Sequence, residues 1–356
     1  MTFERPNIEE MEGYMPGEQP SGSDVVKLNT NENPYPPGPK VAKCLTHIAV
    51  DSLRRYPPPL ANDFRLAAAT LHQVAPENII PTNGGDEFLR LVMTTFVGAG
   101  EIIAVTKPSY SLYPVLAGIQ DSELVEIPLE DDWSMPKTFA AKLNQLNAKL
   151  AIIVNPHAPT GSLLDSSYLA KIAHEFNGVL LIDEAYVDFI DPELNYDSIP
   201  LINQFPNILF LRTMSKGYSL AGLRFGYGIG PSQLISPMMY KTRDSYNTDF
   251  IAQKLATAAI LDTAYAQDTW QKVRASRQQL AKDLAHLGIS SLPSQANFLL
   301  CEIPQITGAQ ALYQSLKMQS ILVRYFDQDR LRNKLRISIG NGPENQRLIS
   351  AISQLL

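Results

Sequence analysis

The sequence predicts an α/β fold: a large domain with a mostly parallel sheet flanked by helices, followed by a smaller α+β C-terminal domain. Between about residues 40 and 250, short apolar runs alternate with amphipathic stretches. The runs are apolar throughout, the mark of strands covered on both faces. After about residue 255 the texture changes to one long helix-like segment followed by short strands. The expected division is an N-terminal arm over 1–35, a large domain over 36–250 and a small domain over 251–356.

Taken in order, residues 1–35 mix polar, proline and glycine positions with little periodicity, which reads as an arm lying on something else. "NENPYPPGPK" is a series of turns. "ENIIPT", "EIIAVT", "LAIIVN", "GVLLIDEA", "NILFLRT" and "FGYGIG" are strand-like, and "DEFLRLVMTTFV" and "SSYLAKIAHEF" are helix-like segments between them. The small domain opens with "TAYAQDTWQKVRASRQQLAKDLAHLG" and continues through "NFLLCEI", "ILVRYF" and "KLRISIG" to a terminal helix.

A chain of 356 residues, 45% hydrophobic, can bury a large core. Its formal charge of −6 comes without any basic block, which argues against nucleic-acid binding, so a small anionic ligand would need individually placed arginines. Cys44 and Cys301 form no metal-ligand pattern and no disulfide framework, and no metal is expected. The first 20 residues carry no apolar signal-like run, and no apolar segment approaches the roughly 20 residues that span a bilayer. The expectation is a soluble cytoplasmic protein.

Ligands of open parallel sheets collect beyond the carboxyl ends of the strands, and the unusual polar residues cluster there. "PTNGGDEF" places Gly84 and Gly85 at a helix start; it is either a phosphate-binding turn or a glycine turn capped by Asp86 and Glu87. "IIVNPHAPTG" ends a strand with Asn155, which either meets a ligand or closes an Asx-turn. "VLLIDEAYVDF" puts Asp183 directly after four apolar residues, where a carboxylate is desolvated unless it has a partner; a helix cap or a structural ion pair is the other reading. Tyr186 follows three residues later, facing the same space or packing. "RTMSKGYSLAGLRFGYG" brings Ser215, Lys216 and Arg224 together, and its glycines lack the spacing of a dinucleotide fingerprint. Singly each cluster is ambiguous. Jointly they supply a Schiff-base lysine, a buried aspartate, an asparagine and a tyrosine for a phenolic oxygen, and a phosphate set, which match pyridoxal phosphate.

With "LNTNENPY", "RRYPPP", "TNGGDE", "KPSYSLY", "NPHAPTG", "DEAY", "SKGYSLAGLRFGYG", "ANFLL" and "LRISIG" in that order, the chain resembles the fold type I pyridoxal-phosphate aminotransferases, and among them the histidinol-phosphate aminotransferase family. The resemblance implies a transaminase of histidine biosynthesis that exchanges an amino group between histidinol phosphate and 2-oxoglutarate by a ping-pong mechanism. It implies that Lys216 holds pyridoxal 5'-phosphate covalently, that Asp183 pairs with the pyridine nitrogen, and that Asn155 and Tyr186 bind the ring 3-hydroxyl. Gly85, Asp86, Ser215 and Arg224 would hold the phosphate, and Tyr110 would stack on the ring. Tyr56 would reach the phosphate from a partner subunit, implying a homodimer with shared sites. Arg336 would grip the substrate α-carboxylate and Arg324 the distal phosphate, while Asn33 and Tyr14 match substrate-side positions of the arm. Two departures stand out: Gly85 where a serine is usual, and His157 with Ala158 where asparagines are common. The alternatives are an aromatic amino acid aminotransferase or a phosphorylated-amino-acid decarboxylase of the same fold, and, more remotely, a catalytically silent cofactor-binding protein.

Overall fold

The computed structural model describes residues 3–19, 22 and 24–356; the expected arm's residues 1, 2, 20, 21 and 23 lie outside it. In chain order the first strands are β1 (Val26–Lys27), β2 (Ile79–Thr82), β3 (Ile102–Lys107), β4 (Glu123–Pro128), β5 (Leu150–Val154), β6 (Val179–Asp183), β7 (Ile208–Thr213) and β8 (Gly226–Ile229). The last seven of these form one sheet in the order β2, β8, β7, β6, β5, β3, β4. Its pairs are parallel from β7 to β4, whereas β8 runs antiparallel to both β7 and β2. This is the mostly parallel sheet that the apolar runs predict.

Strand side chains alternate between faces, so each central strand feeds two cores. Ile153, Ile182 and Phe210, in register across β5, β6 and β7, enter one core. Their neighbours Ile152, Leu181 and Leu209 enter the other. Phe210 is fully buried at the middle of this arrangement. Phe210→Ala is expected to destabilise the protein by about 3–5 kcal/mol, the usual range for emptying a buried aromatic site, measured by denaturant unfolding.

Glycines in β8 let the helix Gly84–Phe96 lie close against the sheet. A Cβ on Gly228 would collide with the Phe88 ring, and one on Gly226 would sit 2.8 Å from the Gly84 carbonyl carbon. These glycines therefore set how close that helix lies to β8.

The second part of the chain contains β9 (Ser290–Ser291), β10 (Phe298–Glu302), β11 (Ile321–Leu322), β12 (Arg324–Tyr325) and β13 (Lys334–Ser338). Four of them form an antiparallel sheet in the order β12, β13, β10, β9. The helices Thr263–His286 and Gly342–Leu355 cover it through Val273, Leu280, Leu284, Leu348 and Ile352. β1 pairs in parallel with β11, which ties the segment before residue 35 to this unit. The helix Phe250–Ile260 begins at the expected division and packs on the helices Pro39–Thr46 and Asn62–His72, within the core of the large sheet.

One loop contact bears on the site. Arg330 donates to the carbonyls of Leu129 at 2.8 Å and Glu130 at 2.7 Å and lies over the Trp133 ring at 4.2 Å, so the loop after β12 is tied to the loop after β4. Among the described residues, no helix is long and apolar enough to cross a membrane.

Candidate active site

The face of β5, β6 and β7 that carries Ile152, Leu181 and Leu209 runs on, at the carboxyl ends, into a cavity of about 400 Å³. Val154, Asp183, Leu211 and Thr213 continue its alternation and line the cavity, joined by Ser215 just past β7. Lys216 lies on the loop that follows β7. Its Nζ donates to the Thr30 carbonyl at 2.8 Å. Burial pushes its pKa down to about 8, and the nearby Arg336 guanidinium adds to the shift, while Glu32 opposes it. An amine in this setting is far more readily uncharged than an exposed lysine.

Asp183 closes β6 with only 5% of its surface exposed. Its Oδ2 accepts from the Tyr113 hydroxyl at 2.7 Å and its Oδ1 from the Ala185 amide at 3.1 Å. Burial raises its pKa to about 6, against those two donors. Both partners are neutral, and among the described residues it has no cationic partner in an ion pair. Tyr186 stands beside it with its hydroxyl accepting from Asn31 Nδ2 at 3.1 Å and its ring edge-on to Phe298.

At the other end of the cavity, the helix Gly84–Phe96 presents its amino terminus through Gly85 and Asp86. The first amides of a helix have no partner within it and carry the positive end of its dipole. Ser215 and Arg224 line the same end, and Arg224 meets the Asp86 carboxylate at 3.3 Å. Tyr110 enters from the loop after β3, edge-on to Tyr113 at 5.5 Å and to Tyr14 at 5.9 Å. His157 secures that loop through the Pro108 carbonyl at 3.0 Å. Burial lowers its pKa to about 4, so the ring is neutral, with Nε2–H assigned as the donor to that carbonyl.

Two arginines form the third wall. Arg324 and Arg336 are direct cross-strand partners on β12 and β13, and both line the cavity. Like charges opposite one another destabilise a sheet unless an anion joins them. Neither forms an ion pair among the described residues; Arg336 donates to the Asn29 carbonyl at 3.1 Å, and its buried Nε has no partner. A guanidinium that lines a cavity and keeps an unpartnered donor is chemically suited to an anion.

Three sequence candidates are not brought into the cavity wall. Asn155 is fully buried, its amide hydrogens donated to the Leu164 carbonyl and the Tyr196 hydroxyl, its oxygen accepting from the Leu164 amide. The reason is strand alternation. Val154 faces the cavity, so Asn155 faces the opposite side, where Tyr196 links it to Glu184 and the Glu184–Arg212 ion pair. The assignment of Asn155 to the ring hydroxyl is therefore corrected; the wall there is Ala158. Asn33 is a turn residue whose oxygen accepts from the Tyr35 amide and whose amide donates to the Gly217 carbonyl. Tyr56 is 81% exposed and stacks on Tyr246 at 4.6 Å, outside this chain's own cavity. Conversely, Tyr113, the Thr30 carbonyl and Phe326 contribute to the site without having been singled out from the sequence.

The residues fit a pyridine-based phosphate cofactor: a buried amine of lowered pKa, a buried carboxylate without a cation, and a helix amino terminus with a serine and an arginine. The chain belongs to the class I and II aminotransferase family, whose model, "Aminotransferase class I and II", matches residues 23–352. Along its whole length it is 44% identical to "Histidinol-phosphate aminotransferase 1" of Nostoc sp., covering 98% of that protein. It is 41% identical to "Histidinol-phosphate aminotransferase 2" of Psychrobacter arcticus, over 96% of this chain and 92% of that one. Among solved structures, histidinol-phosphate aminotransferase from Sinorhizobium meliloti in complex with pyridoxal-5'-phosphate superposes with a TM-score of 0.90 at 25% identity, over 100% of this chain and 98% of that one. A Thermus thermophilus aspartate aminotransferase mutant shares the fold at a TM-score of 0.80 and 18% identity, over 100% of both chains.

Proposed function

We propose that the chain is a histidinol-phosphate:2-oxoglutarate aminotransferase of histidine biosynthesis that uses pyridoxal 5'-phosphate. The observation that carries this reading is one cavity holding a buried amine, a buried carboxylate and two facing arginines that form no ion pair among the described residues. When bound, the cofactor supplies an electron sink for the pair left behind as the substrate Cα–H bond breaks.

The chain's own residues do the rest. Lys216 Nζ holds the cofactor and, once freed, is the base that takes the Cα proton. Its burial keeps a useful fraction uncharged near neutral pH. Asp183 holds a proton at the ring nitrogen, and Tyr186 meets the ring hydroxyl. With Ala158 in the wall, that hydroxyl has no asparagine partner from this position. Gly85, Asp86, Ser215, Arg224 and the helix amino terminus hold the phosphate, and Tyr110 covers the ring. Arg336 and Arg324 grip the anionic groups of both substrates, a phosphate in one half-reaction and carboxylates in the other, and Tyr14 closes the cavity from the arm. Arg336→Ala is expected to raise KM for glutamate roughly 10- to 100-fold, the loss of hydrogen bonds to a charged group, measured by steady-state kinetics.

We further propose that the enzyme works in the cytoplasm as a homodimer, with Tyr56 crossing to the partner's site. Val50, Leu53, Tyr56 and Tyr246 are each exposed, and Tyr56 stacks on Tyr246, apolar groups suited to that contact. The decisive test is visible absorption of the reconstituted protein: histidinol phosphate and glutamate are expected to bleach the cofactor band. Turnover of phenylpyruvate far faster than imidazole acetol phosphate would assign the chain to the aromatic aminotransferases instead.

A further inference from the structure

Tyr113 sits one residue inside the helix Leu112–Gln120, fully buried, with its hydroxyl on Asp183. A buried tyrosine hydroxyl needs a partner, so packing alone accounts for a bond to some acceptor. The acceptor here is the one carboxylate that ends β6 at the cavity. One Asp183 oxygen is held by the Ala185 amide and the other by Tyr113, so the carboxylate is held from the main chain on one side and from the helix on the other. Tyr113 is itself braced edge-on against Tyr110, and its amide donates to the Tyr110 carbonyl at 3.2 Å. Its phenol pKa is raised well above the ordinary value by burial and by Asp183, so it stays protonated and can only donate to the anion.

We propose that Tyr113 is a positioning residue that orients the Asp183 carboxylate toward the cofactor's ring nitrogen and supports its charge. The inference rests on the cofactor reading above, and its role is exercised wholly through Asp183. Other titratable groups facing that carboxylate are Asp86, Glu184 and Tyr186. None of these donates a hydrogen bond to it among the described residues.

Tyr113→Phe keeps the ring and removes one oxygen. The test is a double-mutant cycle with Asp183→Asn, read as the cofactor dissociation constant by fluorescence quenching. Tyr113→Phe is expected to weaken binding about tenfold in the native background, the scale of a hydrogen bond to a charged group, and by less than about twofold in the Asp183→Asn background. Equal factors in both backgrounds, or no change in either, overturn the proposal. A second arm needs no cofactor: in apoprotein carrying ¹³C-labelled aspartate, the Asp183 signal, assigned by its loss in Asp183→Asn, is expected to titrate at higher pH in Tyr113→Phe than in the native chain. An unchanged midpoint also overturns it. Failure of the native chain to bind cofactor refutes the functional reading, and the second arm still decides the role of Tyr113.

Discussion

Lys216→Ala is expected to lower kcat by at least about 10⁴-fold, the upper end of what a positioned general base contributes, because in the proposed function the same amine also anchors the cofactor. Among the described residues no other lysine lines the cavity, and Nζ is fixed by the Thr30 carbonyl, so no neighbouring amine replaces it. Single-turnover measurement of keto-acid formation separates this from weaker binding, since the expected loss is in the chemical step. Addition of a small primary amine is expected to restore part of the rate. Nitrogen exchange at an undiminished pace in this variant would falsify the assignment of Lys216 as the base.

Asp183→Asn is expected to reduce kcat by about 10²–10⁴-fold, as for loss of a group that holds a proton in the transition state, and yet to make the apoprotein more stable at neutral pH. The sign follows from linkage. The folded carboxyl titrates at about 6, above its ordinary 3.8, so between these values the folded chain holds a proton that the unfolded chain has released. The contribution of Asp183 to stability is therefore intact below about pH 4 and is lost as pH rises through 6. A rise from 3.8 to about 6 corresponds to about 3 kcal/mol at most. Asparagine escapes that penalty, because the Tyr113 hydroxyl can turn and accept from its amide. The stability gain over the native chain, followed by thermal unfolding, should grow from pH 4 to pH 6 and then level off. A native apoprotein as stable as Asp183→Asn at pH 7 would contradict the cost assigned here to burying the charge.

The large sheet is legible in the sequence because its central strands are buried on both faces and read as unbroken apolar runs. The reversal of β8 is not, since "GYGI" has the same composition in either direction. Asp183 and Lys216 are legible for one reason: each follows an apolar run at a point where a charge is costly. Asn155, a neutral amide, also follows an apolar run and still faces away. Counting alternate residues from Ile152 through Val154 would have placed it on the opposite face, but only once the strand's cavity side was known. Tyr113 lies among the apolar residues of "LYPVLAGIQ", where a buried aromatic looks like core. Thr30 acts through its carbonyl, which leaves no side-chain signature in any sequence. Arg324 and Arg336 are legible as residues but not as neighbours, because their opposition depends on the register of two strands joined by a long loop.

That opposition has a practical side. A pair of guanidinium groups facing across two strands, with no ion-pair partner among the described residues, suits a doubly charged oxyanion. If the pair holds substrate as proposed, buffer salts such as sulfate and inorganic phosphate are expected to compete with it. Assay and crystallisation media thus become part of the enzyme's chemistry.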